Sequence, residues 1–103
     1  MQAKTVLVVD DEPSILKVLE GILEDEGYET LLADSGEKAL EIAGEKPVDL
    51  VLLDIWLPGI DGVEVLKKIK ALHPDLPVIM MSGHGTIETA VNSTRLGAYD
   101  FIE

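Results

Sequence analysis

Asp10 and Asp11 follow the apolar run KTVLVV (4–9), Asp54 closes VDLVLLD (48–54), and Ser82 closes PVIMMS (77–82). Four oxygen-bearing side chains therefore stand at the ends of three separate strand-like stretches. Adjacent carboxylates repel, and three of them within a few ångströms are unfavourable unless something positive sits among them. With only oxygen donors on offer, the matching ion is a hard divalent cation, Mg2+ or Mn2+, which keeps several of its waters. A cation beside a carboxylate and a hydroxyl suits phosphoryl transfer. The cation screens Asp54 from the incoming group, Asp54 attacks as a nucleophile, and Ser82 hydrogen-bonds a phosphoryl oxygen.

This chemistry needs the four residues on one rim, and the order of elements supplies it. KTVLVV is β-branched and continuously apolar, as a strand buried on both faces should be. Pro13 opens a helix with Ile15, Val18, Leu19 and Ile22 at helical spacing, and Gly27 ends it. YETLLA (28–33) is a second strand. Ser35 caps a helix to about Ala43, which GEKP breaks. VDLVLLD is the third strand, and LPGIDG turns it into a helix carrying Val63, Leu66 and Ile69 that closes at His73-Pro74. PVIMMS is the fourth strand. Thr86 caps a helix to about Leu96, and AYDFIE begins a fifth strand. Strands alternating with helices through short loops predict a doubly wound parallel sheet with helices on both faces. In such a sheet ligands bind beyond the carboxyl ends of the strands, where the strand order reverses. Asp10, Asp11 and Asp54 converge there if the first and third strands are neighbours.

The bulk numbers bound the possibilities. At 103 residues the chain makes one domain, and 47% hydrophobic with 27% charged residues is a globular composition. Eight basic against 20 acidic residues give a net charge of -12, which repels nucleic acid and suits a divalent cation or a basic partner. No apolar run is long enough to cross a bilayer, and no signal-peptide pattern is visible. The absence of cysteine excludes disulfides and thiolate metal sites and is compatible with a cytoplasmic location.

VLVVDDEPSI, VDLVLLDIWLPGIDG, VIMMSGHGTIETAV and GAYDFIE together closely resemble the receiver domain of bacterial two-component response regulators. SGHGTIETAV and GAYDFIE look most like the NtrC/NtrX type, which serves sigma-54-dependent transcription. The resemblance spans the whole chain and implies a flavodoxin-like α/β sheet of order 2-1-3-4-5. It also implies that Asp54 accepts a phosphoryl group from a sensor histidine kinase. Asp11 and Asp54 would bind Mg2+ directly, Asp10 through water, and Trp56 through its backbone carbonyl. Ser82 would be the switch hydroxyl and Phe101 the aromatic that changes rotamer with it. Leu57 stands where the family often has Met. The family's pattern continues past FIE with a Lys-Pro whose lysine pairs with the phosphoryl group. On that comparison the chain reads as a receiver fragment over 1–103, truncated before the fifth helix and separated from its output domains. Such a fragment is expected to self-associate.

Other residues carry less. His84 is more simply a loop residue at a helix start than a ligand, and His73 is a helix end. Gly83 and Gly85 flank one residue, but no phosphate-loop pattern follows the first strand, which disfavours a flavodoxin-like cofactor binder. A metal-dependent phosphatase with an aspartyl nucleophile would need a general acid two residues after Asp54. Trp56 stands there and cannot protonate a leaving group. The reading is therefore a phosphoacceptor rather than an enzyme.

Overall fold

The structure is a computed structural model that describes residues 3–81 and, as backbone, 100–102. Its strands are β1 (Thr5–Val9), β2 (Glu29–Ala33), β3 (Leu50–Asp54), β4 (Val78–Met81) and β5 (Asp100–Ile102). They form one parallel sheet in the order β2-β1-β3-β4-β5. Its helices are α1 (Pro13–Asp25), α2 (Gly36–Glu45) and α3 (Gly62–Leu72). The strand order reverses between β1 and β3, as the flavodoxin-like expectation requires. The helix expected over 86–96 lies outside the described residues.

Alternation along the central strands sends side chains to two cores. Leu7, Val9, Val51, Leu53, Val78 and Met80 pack against α2 and α3 through Ala39, Ala43, Val65, Leu66 and Ile69. On the other face Val6 and Val8 pack against Leu16 of α1, with Leu19, Leu23, Leu50 and Leu52 half-buried around them. Because the sheet is covered on both sides, its strands are apolar at nearly every position.

Helix α1 keeps the predicted spacing, but of Ile15, Val18, Leu19 and Ile22 only Leu19 packs toward the sheet. Ile15, Val18 and Ile22 are exposed, and the contact residues are Leu16, Leu19 and Leu23. The helix is apolar at 15, 16, 18, 19, 22 and 23, so periodicity alone allows either stripe; docking on Val6 and Val8 selects one. Gly27 ends the helix with φ 91°. Its N–H donates to Glu24 O and that of Tyr28 donates to Leu23 O, which completes a left-handed C-terminal cap.

The last turn of α1 has no basic residue, and Glu24, Asp25 and Glu26 crowd its negative end. Glu24→Lys should therefore stabilise the domain by about 0.3–1 kcal/mol at low ionic strength. Urea unfolding should show that gain shrinking in high salt, as screening requires. An equal gain at both salt levels would mean that charge is not the cause.

Candidate functional site

Two loops leave the carboxyl ends of β1 and β3, and local hydrogen bonds shape both. After β1 the chain bends at Asp11 and Glu12 is extended, while the Asp10 N–H donates to Ala33 O (3.1 Å) on β2. Asp10 Oδ1 then accepts from the Glu12 N–H (2.9 Å), tightening the turn into α1, whose first residue is Pro13. After β3 the same device recurs, with Asp54 Oδ1 accepting from the Trp56 N–H (3.1 Å). Gly59 takes φ 73° in the following turn, and Asp61 caps α3 by accepting from the Glu64 N–H (3.0 Å).

Because Val9 is registered with Leu53 across the β1–β3 pair, the residues that follow them, Asp10 just past β1 and Asp54 at the end of β3, share one rim. Asp10, Asp11 and Asp54 each offer a carboxylate oxygen within 4.8 Å of the others. Asp10 is buried, Asp54 half-buried and Asp11 exposed. Burial pushes the Asp54 carboxyl up to about 6, and Asp10, Asp11 and Glu12 add to the rise while the Trp56 N–H opposes it. Burial likewise raises Asp10, with repulsion from Asp11 and Glu12 adding to it and the Glu12 N–H working against it. Among the described residues the ion pair present is Lys67–Glu64, on α3, so no side-chain cation there offsets the acidic cluster.

That donor set fits a hard divalent cation. Its ligands are oxygens only, one is buried and one half-buried, and their mutual repulsion is relieved by positive charge at their centre. A family model described as the response regulator receiver domain matches residues 6–103. The chain belongs to that family. This receiver domain is 55% identical over 104 residues to the nitrogen assimilation regulatory protein NtrX of Azorhizobium caulinodans, covering 98% of this chain and 23% of that protein. It is 43% identical over 97 residues to the transcriptional regulatory protein ZraR of Escherichia coli K12, covering 94% and 22%. A crystal structure of NtrX from Brucella abortus superposes with a TM-score of 0.92 at 53% identity, covering 98% of this chain and 23% of that one. The receiver domain thus spans less than a quarter of the length of these relatives.

Of the sequence-predicted site residues, the fold brings together Asp10, Asp11 and Asp54 and sets Trp56 beside them. Phe101 lies on β5 with its backbone registered to Met80. Ser82 and His84 fall outside the described residues. His73 caps α3 but does more than end it, because its Nε2 lies 3.0 Å from Ala43 O and ties α3 to the end of α2. Glu12, which completes the VVDDE stretch, adds to the acidic field at Asp10 and Asp54, a contribution that its position in the sequence alone does not reveal.

Trp56 is the only tryptophan and is 55% exposed beside the cluster. Mg2+ should change its fluorescence saturably, and Asp11→Ala should weaken that response at least tenfold in Mg2+ concentration. An unaltered titration in the Asp11→Ala protein would place the metal elsewhere.

Proposed function

We propose that Asp54 is the phosphoacceptor of this receiver domain and that it takes its phosphoryl group from a sensor histidine kinase with Mg2+. The observation that supports this reading most directly is the convergence of three carboxylates, within 4.8 Å of one another, on the rim where strand order reverses. In the transfer, an Asp54 carboxylate oxygen bonds to phosphorus. The P–N bond to the donor imidazole breaks, its electron pair returns to that nitrogen, and an acyl phosphate remains on Asp54.

The Trp56 N–H on Oδ1 orients the Asp54 carboxylate and leaves Oδ2 available to attack. Asp11, Asp54 and the Trp56 carbonyl would hold Mg2+, with Asp10 bound through a water. Bound Mg2+ supplies positive charge that lowers the repulsion between Asp54 and the phosphoryl oxygens. Ser82 would donate to a phosphoryl oxygen and Phe101 would respond by changing rotamer, carrying the signal to an output domain of the longer protein. The partners in this reading are the kinase and that output domain, which on the resemblance to NtrX and ZraR is transcriptional. At a net charge of -12 the receiver itself is unsuited to touching DNA.

Acetyl phosphate with Mg2+ tests the reading on the isolated domain. Labelling that stops at one phosphoryl group per chain supports a phosphoacceptor. Continued release of phosphate at an enzymatic rate would support the aspartyl phosphatase instead, and no labelling at all would contradict both.

A further inference from the structure

We propose that Gly62 is a positioning residue for the Asp54 site, through which the first turn of α3 fixes the peptide that follows Asp54 and, with it, the Trp56 carbonyl. The inference rests on the reading of Asp54 and Trp56 as parts of an Mg2+-dependent phosphoacceptor site. A Cβ on Gly62 would lie 2.6 Å from Ile55 Cα, 3.0 Å from the Asp54 carbonyl carbon and closer still to the Asp54 carbonyl oxygen. Carbon atoms pack at roughly 3.5–4.0 Å, so no side chain fits without moving main chain. The positive-φ glycines of the described residues are Gly27 and Gly59. Position 62 thus demands glycine for space and not for its backbone angles.

The contact is also a hydrogen-bonded one. The Gly62 N–H donates to Ile55 O (2.9 Å), the Leu57 N–H donates to the same oxygen (3.2 Å), and the Ile55 N–H donates to Met81 O (3.0 Å). Residue 55 is therefore held by β4 on one side and by α3 on the other. Trp56 is the next residue, and its N–H holds Asp54 Oδ1. Backing α3 away from this point moves both the carboxylate's donor and the carbonyl assigned to the metal. Mg2+ tolerates little departure from octahedral geometry, so a displacement of under an ångström is felt there.

Other glycines set the contrast. A Cβ on Gly36 meets chiefly the side-chain ends of Val65 and Ile60, at 2.5 and 2.6 Å, whereas Gly21 and Gly44 have nothing within 4 Å. Gly21→Ala and Gly44→Ala should raise helix stability without touching the site, giving a background that tolerates a damaged fold.

The probe is Mg2+ alone, with affinity read from Trp56 fluorescence. In the Gly21→Ala/Gly44→Ala background, adding Gly62→Ala should weaken Mg2+ binding about tenfold or more, as loss of a supporting contact does at metal sites. Adding Gly36→Ala should lower thermal stability while leaving Mg2+ affinity within about twofold of the background. In the unaltered protein, saturating Mg2+ should slow hydrogen exchange at the Gly62 and Leu57 amides, since fixing the Trp56 carbonyl also fixes their shared acceptor. Mg2+ binding unchanged by Gly62→Ala overturns the proposal. So does an exchange rate at Gly62 that ignores Mg2+, a result that requires no variant to fold. Failure of the unaltered protein to bind Mg2+ through Asp11 would instead sink the underlying reading of the site.

Discussion

Asp54→Asn is expected to abolish acetyl-phosphate labelling and at the same time to make the metal-free domain harder to unfold. The side chain keeps its shape and its oxygen acceptor for the Trp56 N–H but loses the charge that burial and three neighbouring acids disfavour. A carboxyl moved from 3.8 to about 6 corresponds to roughly 3 kcal/mol of penalty on the charged form, and about 1–2 kcal/mol is a better expectation for a site open to water. Each kcal/mol raises the melting temperature of a domain this size by about 4–8 °C.

The sign of the pH dependence follows from the direction of the shift. A folded-state value above the unfolded one means that the group's contribution is fully present below about 3.8 and is lost as pH rises through about 6. The advantage of Asp54→Asn over the parent should therefore be near zero at the acid end, grow between these values and level off above them. A variant less stable than the parent at neutral pH, without metal, would contradict the claim of stored repulsion.

Mg2+ should produce the second large effect. Binding to the folded site alone stabilises the parent by about 2.7 kcal/mol at a hundredfold excess over its dissociation constant. Denaturant unfolding with and without Mg2+ measures this directly. Asp11→Ala should lose nearly all of the gain, because Asp11 is the exposed member of the cluster and has no other partner among the described residues. Ser35→Ala serves as the comparison. It removes the cap on α2 and costs about 1 kcal/mol with or without metal, since its oxygen is committed to the Lys38 N–H. An equal Mg2+ gain in the Asp11→Ala protein would mean that the stabilising ion sits at some other acidic patch.

Much of this arrangement is legible in the sequence because a parallel sheet leaves little freedom. Strands buried on both faces are apolar throughout, so their first polar residue marks the rim. That is why the sequence alone places Asp10 and Asp54. Ser35 as the cap of α2 is equally local, and its Oγ does accept from the Lys38 N–H. What escapes is whatever depends on distant elements meeting. The face of α1 that docks is settled by Val6 and Val8, which lie outside the helix. The need for glycine at 62 comes from the end of β3, eight residues back along the chain, and nothing in LPGIDG distinguishes that glycine from Gly59, which is required for its backbone angle instead. The rise at Asp54 likewise depends on the β1–β3 pairing, which brings acids distant in sequence to one rim.

Where the phosphoryl group resides is the most direct test of the central claim. The domain would be incubated with acetyl phosphate and Mg2+, digested, and its phosphopeptides mapped by mass spectrometry, with Asp54→Asn carried in parallel. The expected result is a single hydroxylamine-sensitive acyl phosphate on Asp54, absent from the Asn variant and from samples without Mg2+. A phosphoryl group found on any other side chain of the unaltered domain, or retained at full yield in Asp54→Asn, would contradict it.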